Sequence, residues 1–287
     1  MKLVRFGPAG QETPGIVDGA GTVRDISSHL ADIDGAALSP ASLRRLAALD
    51  LAALPAAPAG ARFGVPISGI GQFVAVGLNY ADHAAESNMA IPREPILFTK
   101  AISCLSGPND DVILPKNSVR SDWEVELGVV IGTTARYVEE DQALEHVAGY
   151  VLVNDVSERE YQLDRGGTWD KGKGCETFGP VGPYFVTADE VGDPQALDLW
   201  LDVNGVRMQT GNTRTMIFGV KTLVSYISRF MVLRPGDLIT TGTPPGVGMG
   251  KTPSVYLKPG DVMTLGIEKL GQQRQNVLVW SPASVAV

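Results

Sequence analysis

Two glutamates, Glu124 and Glu126, lie two positions apart in the segment DWEVELGVVIG (residues 122–132). The segment alternates in side-chain character and then becomes apolar, which predicts a β-strand that enters a core. Successive side chains of a strand point to opposite faces, so both carboxylates share one face, about 7 Å apart. Two carboxylates beside so apolar a run repel each other and lose hydration, and a cation or a proton would offset that cost.

A third carboxylate, Asp155, ends the apolar segment YVLVND (residues 150–155). Three carboxylates with no nearby Cys and no HExxH-type His pair describe a site made of oxygen ligands. Such a site suits Mg²⁺, Mn²⁺ or Ca²⁺ better than zinc. The alternative is a set of ordinary acidic side chains on a solvated strand face, and the spacing alone leaves both interpretations open.

A candidate general base lies further towards the N-terminus. If residues 81–87 are helical, His83 and Glu86 share a face, and the carboxylate could orient and polarise the imidazole. The alternative is a surface histidine on a helical turn. His29 and His146, the other two histidines, lie in segments typical of surface elements. His83 is therefore the histidine to choose for proton transfer.

Several loops have the composition of functional segments. Small residues and prolines over residues 87–95 predict a mobile loop that could close over a site. Lys100 ends a predicted strand, and either solvent or an anion could face it. A glycine-bearing loop over residues 166–180 carries too many charges for a passive connection. The loop over residues 241–252 does not match a phosphate-binding P-loop, but its threonine hydroxyls and amides suit a carboxylate or a phosphate.

The elements that must position these residues predict two modules. Short strands near residues 2–6 and 22–24 indicate a small β-rich unit, and a helix that starts at Ser39-Pro40 packs on it. Residues 54–60 are rich in Pro, Ala and Gly and are typical of a linker. We therefore expect a small N-terminal domain with its linker over residues 1–66 and a catalytic domain over residues 67–287.

Inside the larger module the pattern predicts strands that alternate with few helices. Helices are expected over residues 139–149, 156–163 and 215–230. Asn204-Gly205 predicts the type I′ turn of an antiparallel hairpin. The expected fold class is α+β and rich in β-structure.

Composition narrows the possible functions. A net charge of −8 argues against binding to nucleic acid or to an anionic membrane, since both need a positive protein surface. No apolar run reaches the ~18 residues of a membrane span, and residues 1–6 start as a strand and not as a signal peptide. Cys104 and Cys175 do not indicate a disulfide framework. We expect a cytoplasmic protein with a small-molecule partner.

The motifs, in this order, resemble those of the fumarylacetoacetate hydrolase family. The resemblance spans residues 70–280 and is carried by GLNYADHAAE (77–86), EVELGVVIG (124–132), NDVSEREYQ (154–162), WDKGKGCETFGPVGP (169–183) and ITTGTPPGVG (239–248). It implies a mixed β-sandwich roll of the C-terminal type of that family. It also implies that the protein is a homodimer.

The same resemblance implies roles for individual residues. Glu124, Glu126 and Asp155 would hold Mg²⁺ or Mn²⁺. The other implied roles are a His83–Glu86 pair that activates water, a catalytic Lys173, and substrate contacts from Tyr80, Lys100, Arg159, Gln162 and Thr243.

The implied activity is metal-dependent hydrolysis of a carbon–carbon bond in a 2,4-diketo acid, with pyruvate and a carboxylic acid as products. The N-terminal module and the loop at residues 166–183 look closest to family members that act on sugar-derived 2,4-diketo acids. Alternatives are ureidoglycolate lyase, or an oxo-acid decarboxylase or isomerase. A non-catalytic metabolite-binding protein is the alternative of a different class.

Overall fold

A computed structural model describes residues 1–86 and 90–282. Its strands are β1 (Lys2–Phe6), β2 (Thr13–Val17), β3 (Val23–Asp25), β4 (Phe73–Gly77), β5 (Ile96–Thr99), β6 (Leu105–Ser106), β7 (Val112–Leu114), β8 (Ser121–Asp122), β9 (Val125–Ile131), β10 (Val147–Asn154), β11 (Ser157–Glu158), β12 (Gly179–Pro180), β13 (Phe185–Thr187), β14 (Asp198–Val203), β15 (Val206–Asn212), β16 (Leu238–Thr240), β17 (Val262–Ile267) and β18 (Gly271–Val279). The α-helices are α1 (Pro40–Ala47), α2 (Ala81–Glu86), α3 (Arg159–Leu163), α4 (Asp170–Lys173), α5 (Ala188–Val191) and α6 (Val220–Ile227).

Two mixed sheets form the body of the protein. The larger has the strand order β3-β2-β1-β13-β10-β9-β16-β4-β5, and the smaller has the order β15-β14-β17-β18-β7. Strands β9 and β10 contact β14, β17 and β18 of the smaller sheet, so the sheets pack on each other. Every residue of β9 and β10 is buried, because their apolar runs gain most by leaving water. The predicted β-rich α+β class is confirmed.

The N-terminal strands continue the larger sheet. Strand β1 pairs antiparallel with β13, with Leu3 opposite Phe185. The predicted helix is confirmed as α1, whose Ser39 side chain accepts a hydrogen bond from the Ser42 N–H and whose first residue is Pro40. The division of the chain at residue 66 stays a prediction.

The predicted linker lies along the outer edge of β3. The Asp25 N–H donates to the Pro55 carbonyl at 2.8 Å, and the Ala57 N–H donates to the Val23 carbonyl at 2.8 Å. At the opposite edge, the Thr99 N–H of β5 donates to Asp170 Oδ1 at 3.1 Å. Both edges of the large sheet are thus in contact with other segments of the chain.

Three helix and loop predictions need correction. Residues 139–149 do not form one helix: a 3₁₀ turn covers Ala143–His146 and β10 begins at Val147, because pairing with β9 outweighs the local helical pattern. The helix predicted over residues 215–230 is shorter, since α6 starts at Val220. The loop predicted over residues 166–180 contains the short helix α4.

Other local predictions agree with the structure. The hairpin turn between β14 and β15 has positive φ at Asn204 (52°) and Gly205 (76°). The helix predicted from residue 81 is present as α2. The helix is predicted to end at residue 87 and the mobile loop to cover residues 87–95. Residues 87–89 lie outside the described residues. Within the described ranges no helix has both the length and the apolar character needed to cross a bilayer.

Candidate active site

Three buried carboxylates meet where β9 and β10 lie side by side. Glu124 directly precedes β9, Glu126 lies within it, and Asp155 directly follows β10. The antiparallel register places Val153 opposite Glu126, and the Asp155 N–H donates to the Glu124 carbonyl at 2.8 Å. One oxygen of each carboxylate lies within 4.8 Å of the others. The structure therefore brings together all three residues predicted as metal ligands.

Three cationic side chains surround these carboxylates. Lys173 Nζ lies 2.7 Å from Glu124 Oε2 and 2.8 Å from Asp155 Oδ2. Arg159 Nη2 lies 2.7 Å from the other oxygen of Glu124. Lys100 Nζ lies 2.6 Å from Asp155 Oδ1. Short α-helices α3 and α4 carry Arg159 and Lys173, so both cations depend on the segments that follow β10.

The two glutamates differ in electrostatics although they share a strand face. Burial, then the negative charges of Asp155 and Glu124, raise the pKa of Glu126 well above its usual range. Burial would also raise the pKa of Glu124, but the charges of Lys173 and Arg159 outweigh it and lower this pKa to about 2. Glu126 also accepts hydrogen bonds from the Thr240 hydroxyl at 2.5 Å and the Gly242 N–H at 2.8 Å.

This donor set fits a hard divalent cation. It offers only carboxylate oxygens, and the ligands are buried, with exposed fractions of 6% for Glu124, 1% for Glu126 and 0% for Asp155. The three carboxylates and Asp122, which lies 2.9 Å from Arg159, face the positive charges of Lys100, Arg159 and Lys173. With all four carboxylates ionised, as metal ligation requires, the four negative and three positive charges sum to one negative charge, so a divalent cation would make the site positive and attractive to an anion.

His83 and Glu86 form the predicted pair on α2. His83 Nδ1 lies 3.1 Å from Glu86 Oε2. The Gly246 N–H donates to both oxygens of Glu86, at 3.0 and 3.1 Å, so the carboxylate is held from two sides. A carboxylate that accepts from Nδ1–H leaves Nε2 as the basic nitrogen of the neutral ring.

A cavity of about 330 Å³ lies between His83 of the pair and the carboxylates of Glu124 and Glu126. Seven of the predicted site residues line it: His83, Glu124, Glu126, Arg159, Gln162, Lys173 and Thr243. The remaining wall is mainly apolar and comes from Val76, Leu78, Phe98, Leu163, Trp169 and Met249. A Cβ atom on Gly77 would lie 2.2 Å from Trp169, so the indole can pack against β4 only because residue 77 is glycine.

Two predicted substrate contacts do not reach this cavity. The hydroxyl of Tyr80 is buried and has no hydrogen-bond partner among the described residues, and Tyr80 does not line the cavity. Lys100 is 2% exposed and donates to Asp155 Oδ1 and to the Lys173 carbonyl. Its ammonium lies behind the carboxylates, which predicts a supporting role for Lys100, and direct substrate contact by Lys100 stays an untested prediction.

Replacing Lys100 with Met should lower the free energy of unfolding by about 3 kcal/mol, since it removes one partner of a buried ion pair. Urea denaturation of the metal-free protein measures this effect. Lys171→Met is the matched control: Lys171 is exposed and donates only to the Arg165 carbonyl, so its change should stay within about 0.5 kcal/mol. Equal stability of the two variants would contradict a supporting role for Lys100.

Sequence reasoning missed residues that hold the predicted ones. Gln209, which is fully buried, donates to the Thr243 hydroxyl at 2.7 Å and to the Pro244 carbonyl at 2.8 Å. Asp122 accepts from Arg159. Asp122 stands two residues before Glu124, so its place next to a predicted ligand was a usable signal. Gln209 had no such signal, because its partner lies 34 residues away in the chain.

Comparisons with known proteins agree with this geometry. The model for the family described as fumarylacetoacetate (FAA) hydrolase C-terminal matches residues 72–278. A 2,4-didehydro-3-deoxy-L-rhamnonate hydrolase from Sphingomonas sp. (strain SKA58) is 61% identical over 281 residues, which cover 98% of this chain and 97% of the relative.

Two solved structures are similar over nearly the whole chain. Fumarylacetoacetate hydrolase from Exiguobacterium antarcticum has a TM-score of 0.86 and 35% identity, covering 98% of this chain and 100% of the other. Maleylpyruvate hydrolase from Sphingobium sp. SYK-6, solved with manganese(II) and pyruvate, has a TM-score of 0.82 and 29% identity with the same coverage. Both matches extend beyond residues 72–278 into the N-terminal strands.

Proposed function

Since this chain belongs to the fumarylacetoacetate hydrolase family, we propose that it is a divalent-metal-dependent hydrolase of 2,4-diketo acids. It splits the bond between C3 and C4 and releases pyruvate and a second carboxylic acid. The substrate is a sugar-derived 2,4-diketo-3-deoxy acid, and a deoxyhexonate of this kind would give lactate as the second acid. The observation that carries the proposal is one cavity lined by His83, whose ring contacts Glu86, and by Glu124 and Glu126 of the metal-type carboxylates.

Glu124, Glu126 and Asp155 are the residues that would hold the metal, and Mg²⁺ or Mn²⁺ suits their oxygen donors. When bound, the metal supplies positive charge that stabilises the negative charge developing on the 2-oxo acid. The manganese and pyruvate in the Sphingobium maleylpyruvate hydrolase structure support this choice. The proposal allows either ion.

Arg159, Gln162 and Thr243 bind the 2-oxo acid end of the substrate. Arg159 is oriented by Gln162, whose side-chain oxygen accepts from Nη1 at 3.0 Å, and a fixed guanidinium suits a carboxylate. The Thr243 hydroxyl is held by Gln209 and by the Val125 carbonyl at 2.9 Å. Lys173 holds Glu124 and Asp155 in place and adds positive charge beside the pyruvate that leaves.

His83 takes a proton from water through Nε2, and the water oxygen attacks the C4 carbonyl carbon. The bond between C3 and C4 then breaks, and its electron pair moves to C3, giving the enolate of pyruvate. The proton returns to C3, so water and substrate account for every atom of the two products. Glu86 keeps the ring in the basic orientation and stabilises its protonated form.

Incubation with a panel of 2,4-diketo-3-deoxy sugar acids should release pyruvate, and ureidoglycolate should release no glyoxylate. In H₂¹⁸O, one ¹⁸O atom should appear in the carboxylate of the second acid, because water attacks C4. Mass spectrometry of both products measures this. A decarboxylase or isomerase would put no label there, and release of glyoxylate from ureidoglycolate would favour the lyase.

The homodimer and the cytoplasmic location stay predictions. The absence of nucleic-acid and membrane partners, expected from the composition, also stays a prediction.

A further inference from the structure

Asp122 contacts two parts of the site, Arg159 and the loop over residues 246–250. It is fully buried. Its Oδ2 accepts from Arg159 Nε at 2.9 Å and from the Met249 N–H at 2.9 Å. Its Oδ1 accepts from the Gly248 N–H at 2.7 Å. The Asp122 carboxylate thus joins Arg159, which is assigned to bind the substrate, to the loop that contains Met249.

That loop, residues 246–250, also holds the base. The Gly246 N–H donates to both oxygens of Glu86, and Glu86 orients His83. Trp123, next to Asp122, donates from Nε1 to the Gly246 carbonyl at 3.1 Å. The position of Glu86 therefore depends on the loop, and the loop is anchored by residues 122 and 123.

The loop packs too closely on its anchor for another arrangement to be easy. A Cβ atom on Gly248 would lie 1.9 Å from the Val255 carbonyl and 2.8 Å from Asp122 Oδ1. Gly246 has φ of 105°, a backbone conformation that favours glycine. Loss of an Asp122 acceptor would leave buried N–H groups without partners, so the loop would have to move, and Glu86 with it.

We propose that Asp122 is a positioning residue that sets both the Arg159 grip on the substrate and the orientation of the His83–Glu86 base. The proposal rests on the proposed function for its kinetic part only. Residues that orient the groups in contact with a ligand commonly contribute tenfold to a hundredfold in affinity or rate. Asp122 should affect both quantities, whereas a residue that supports one side of the site should affect one.

The test compares Asp122→Asn with two variants that each disturb one side. Asn keeps one acceptor but places an NH₂ group towards Arg159 and the Met249 N–H. Arg159→Lys disturbs the substrate side, and Trp123→Phe removes the bond to Gly246 together with part of a buried side chain. We expect KM to rise about tenfold in Asp122→Asn and Arg159→Lys. We expect kcat to fall about tenfold in Asp122→Asn and by a smaller factor in Trp123→Phe.

The second readout does not need turnover. In the Mg²⁺-loaded protein with ¹⁵N-labelled histidine, the His83 ring should be mainly the Nδ1–H tautomer, because Glu86 accepts from Nδ1. The ¹⁵N signals of this ring are identified by their absence from the spectrum of His83→Gln. In Asp122→Asn the Nε2–H tautomer should gain population, and in Arg159→Lys the ratio should stay as in the wild type. A purely structural role for Asp122 would lower stability without changing this ratio in the folded protein.

An unchanged tautomer ratio and unchanged kcat in folded Asp122→Asn would overturn the proposal, even if KM rises. If that variant does not fold, Asp122→Ser, which keeps a hydroxyl acceptor and lacks the amide donor, gives the same comparison. If the wild type turns over no 2,4-diketo acid, the proposed function fails separately. The tautomer ratio then still tests the effect of Asp122 on the His83–Glu86 base, and the affinity for oxalate tests its effect on Arg159.

Discussion

Removal of divalent metal by a chelator should abolish turnover of the 2,4-diketo acid, and Mg²⁺ or Mn²⁺ should restore it. Three buried carboxylates have oxygens within 4.8 Å of one another. The negative charge of Glu126 is poorly compensated there, as its raised pKa indicates. A bound cation is worth several kcal/mol of transition-state stabilisation, so we expect a loss of at least about a thousandfold. Pyruvate release after chelation and after addition of each ion is the measurement.

Zn²⁺ should restore activity poorly, because it favours nitrogen and sulfur ligands. Glu126→Gln should weaken Mn²⁺ binding measured by calorimetry, since it removes a ligand charge. Glu145→Gln, at an exposed position, is the matched control and should bind Mn²⁺ like the wild type. Full activity of the metal-free protein would show that the carboxylates serve another purpose.

Replacing His83 with Ala should lower kcat by about 10²- to 10⁴-fold, the usual contribution of a positioned general base. Binding of oxalate should remain near normal, because the carboxylates, Arg159 and Thr243 are untouched. Glu86→Gln should lose a similar or smaller factor, since the ring would lose the carboxylate that orients it. Steady-state kinetics and calorimetry with oxalate separate the two effects.

The pH profile gives an independent check on the same base. In the wild type kcat/KM should rise along an acid limb of its pH profile, and this limb should vanish in His83→Ala, which lacks the base. His146→Gln is the control, because His146 is a partly exposed histidine whose Nδ1 lies 3.0 Å from the Thr134 carbonyl. If His83→Ala keeps more than about a tenth of the activity with the limb intact, the base lies elsewhere.

Local pattern predicted the parts of the site that depend on one strand or one helical turn. The two-residue spacing put Glu124 and Glu126 on one face, and the three-residue spacing put His83 beside Glu86. Bringing Asp155 to them depended on the register of β9 and β10, which no local pattern contains. The pattern of an apolar strand ending on an aspartate suggested Asp155 as a third ligand and left an ordinary surface carboxylate open, and the family resemblance then supported the ligand.

Several features that local pattern did not predict share one physical cause, which is contact between distant segments. Residues 139–149 have a helical pattern, yet β10 begins at Val147 because β9 offers a partner strand. Lys100 ends a strand, but the side to which its ammonium points depends on Asp155, 55 residues further along the chain. Asp122 was visible only as part of a strand, since its loop partners lie more than 120 residues away.

The segment along β3 has a consequence for association between molecules. An outermost strand with free N–H and C=O groups is a template on which other chains can add strands and aggregate. Residues 55–57 already occupy these groups of β3, and the prolines at positions 55 and 58 lack the N–H groups that a further strand would need. A stretch whose composition is typical of a flexible connection thus also protects the large sheet from edge-to-edge polymerisation.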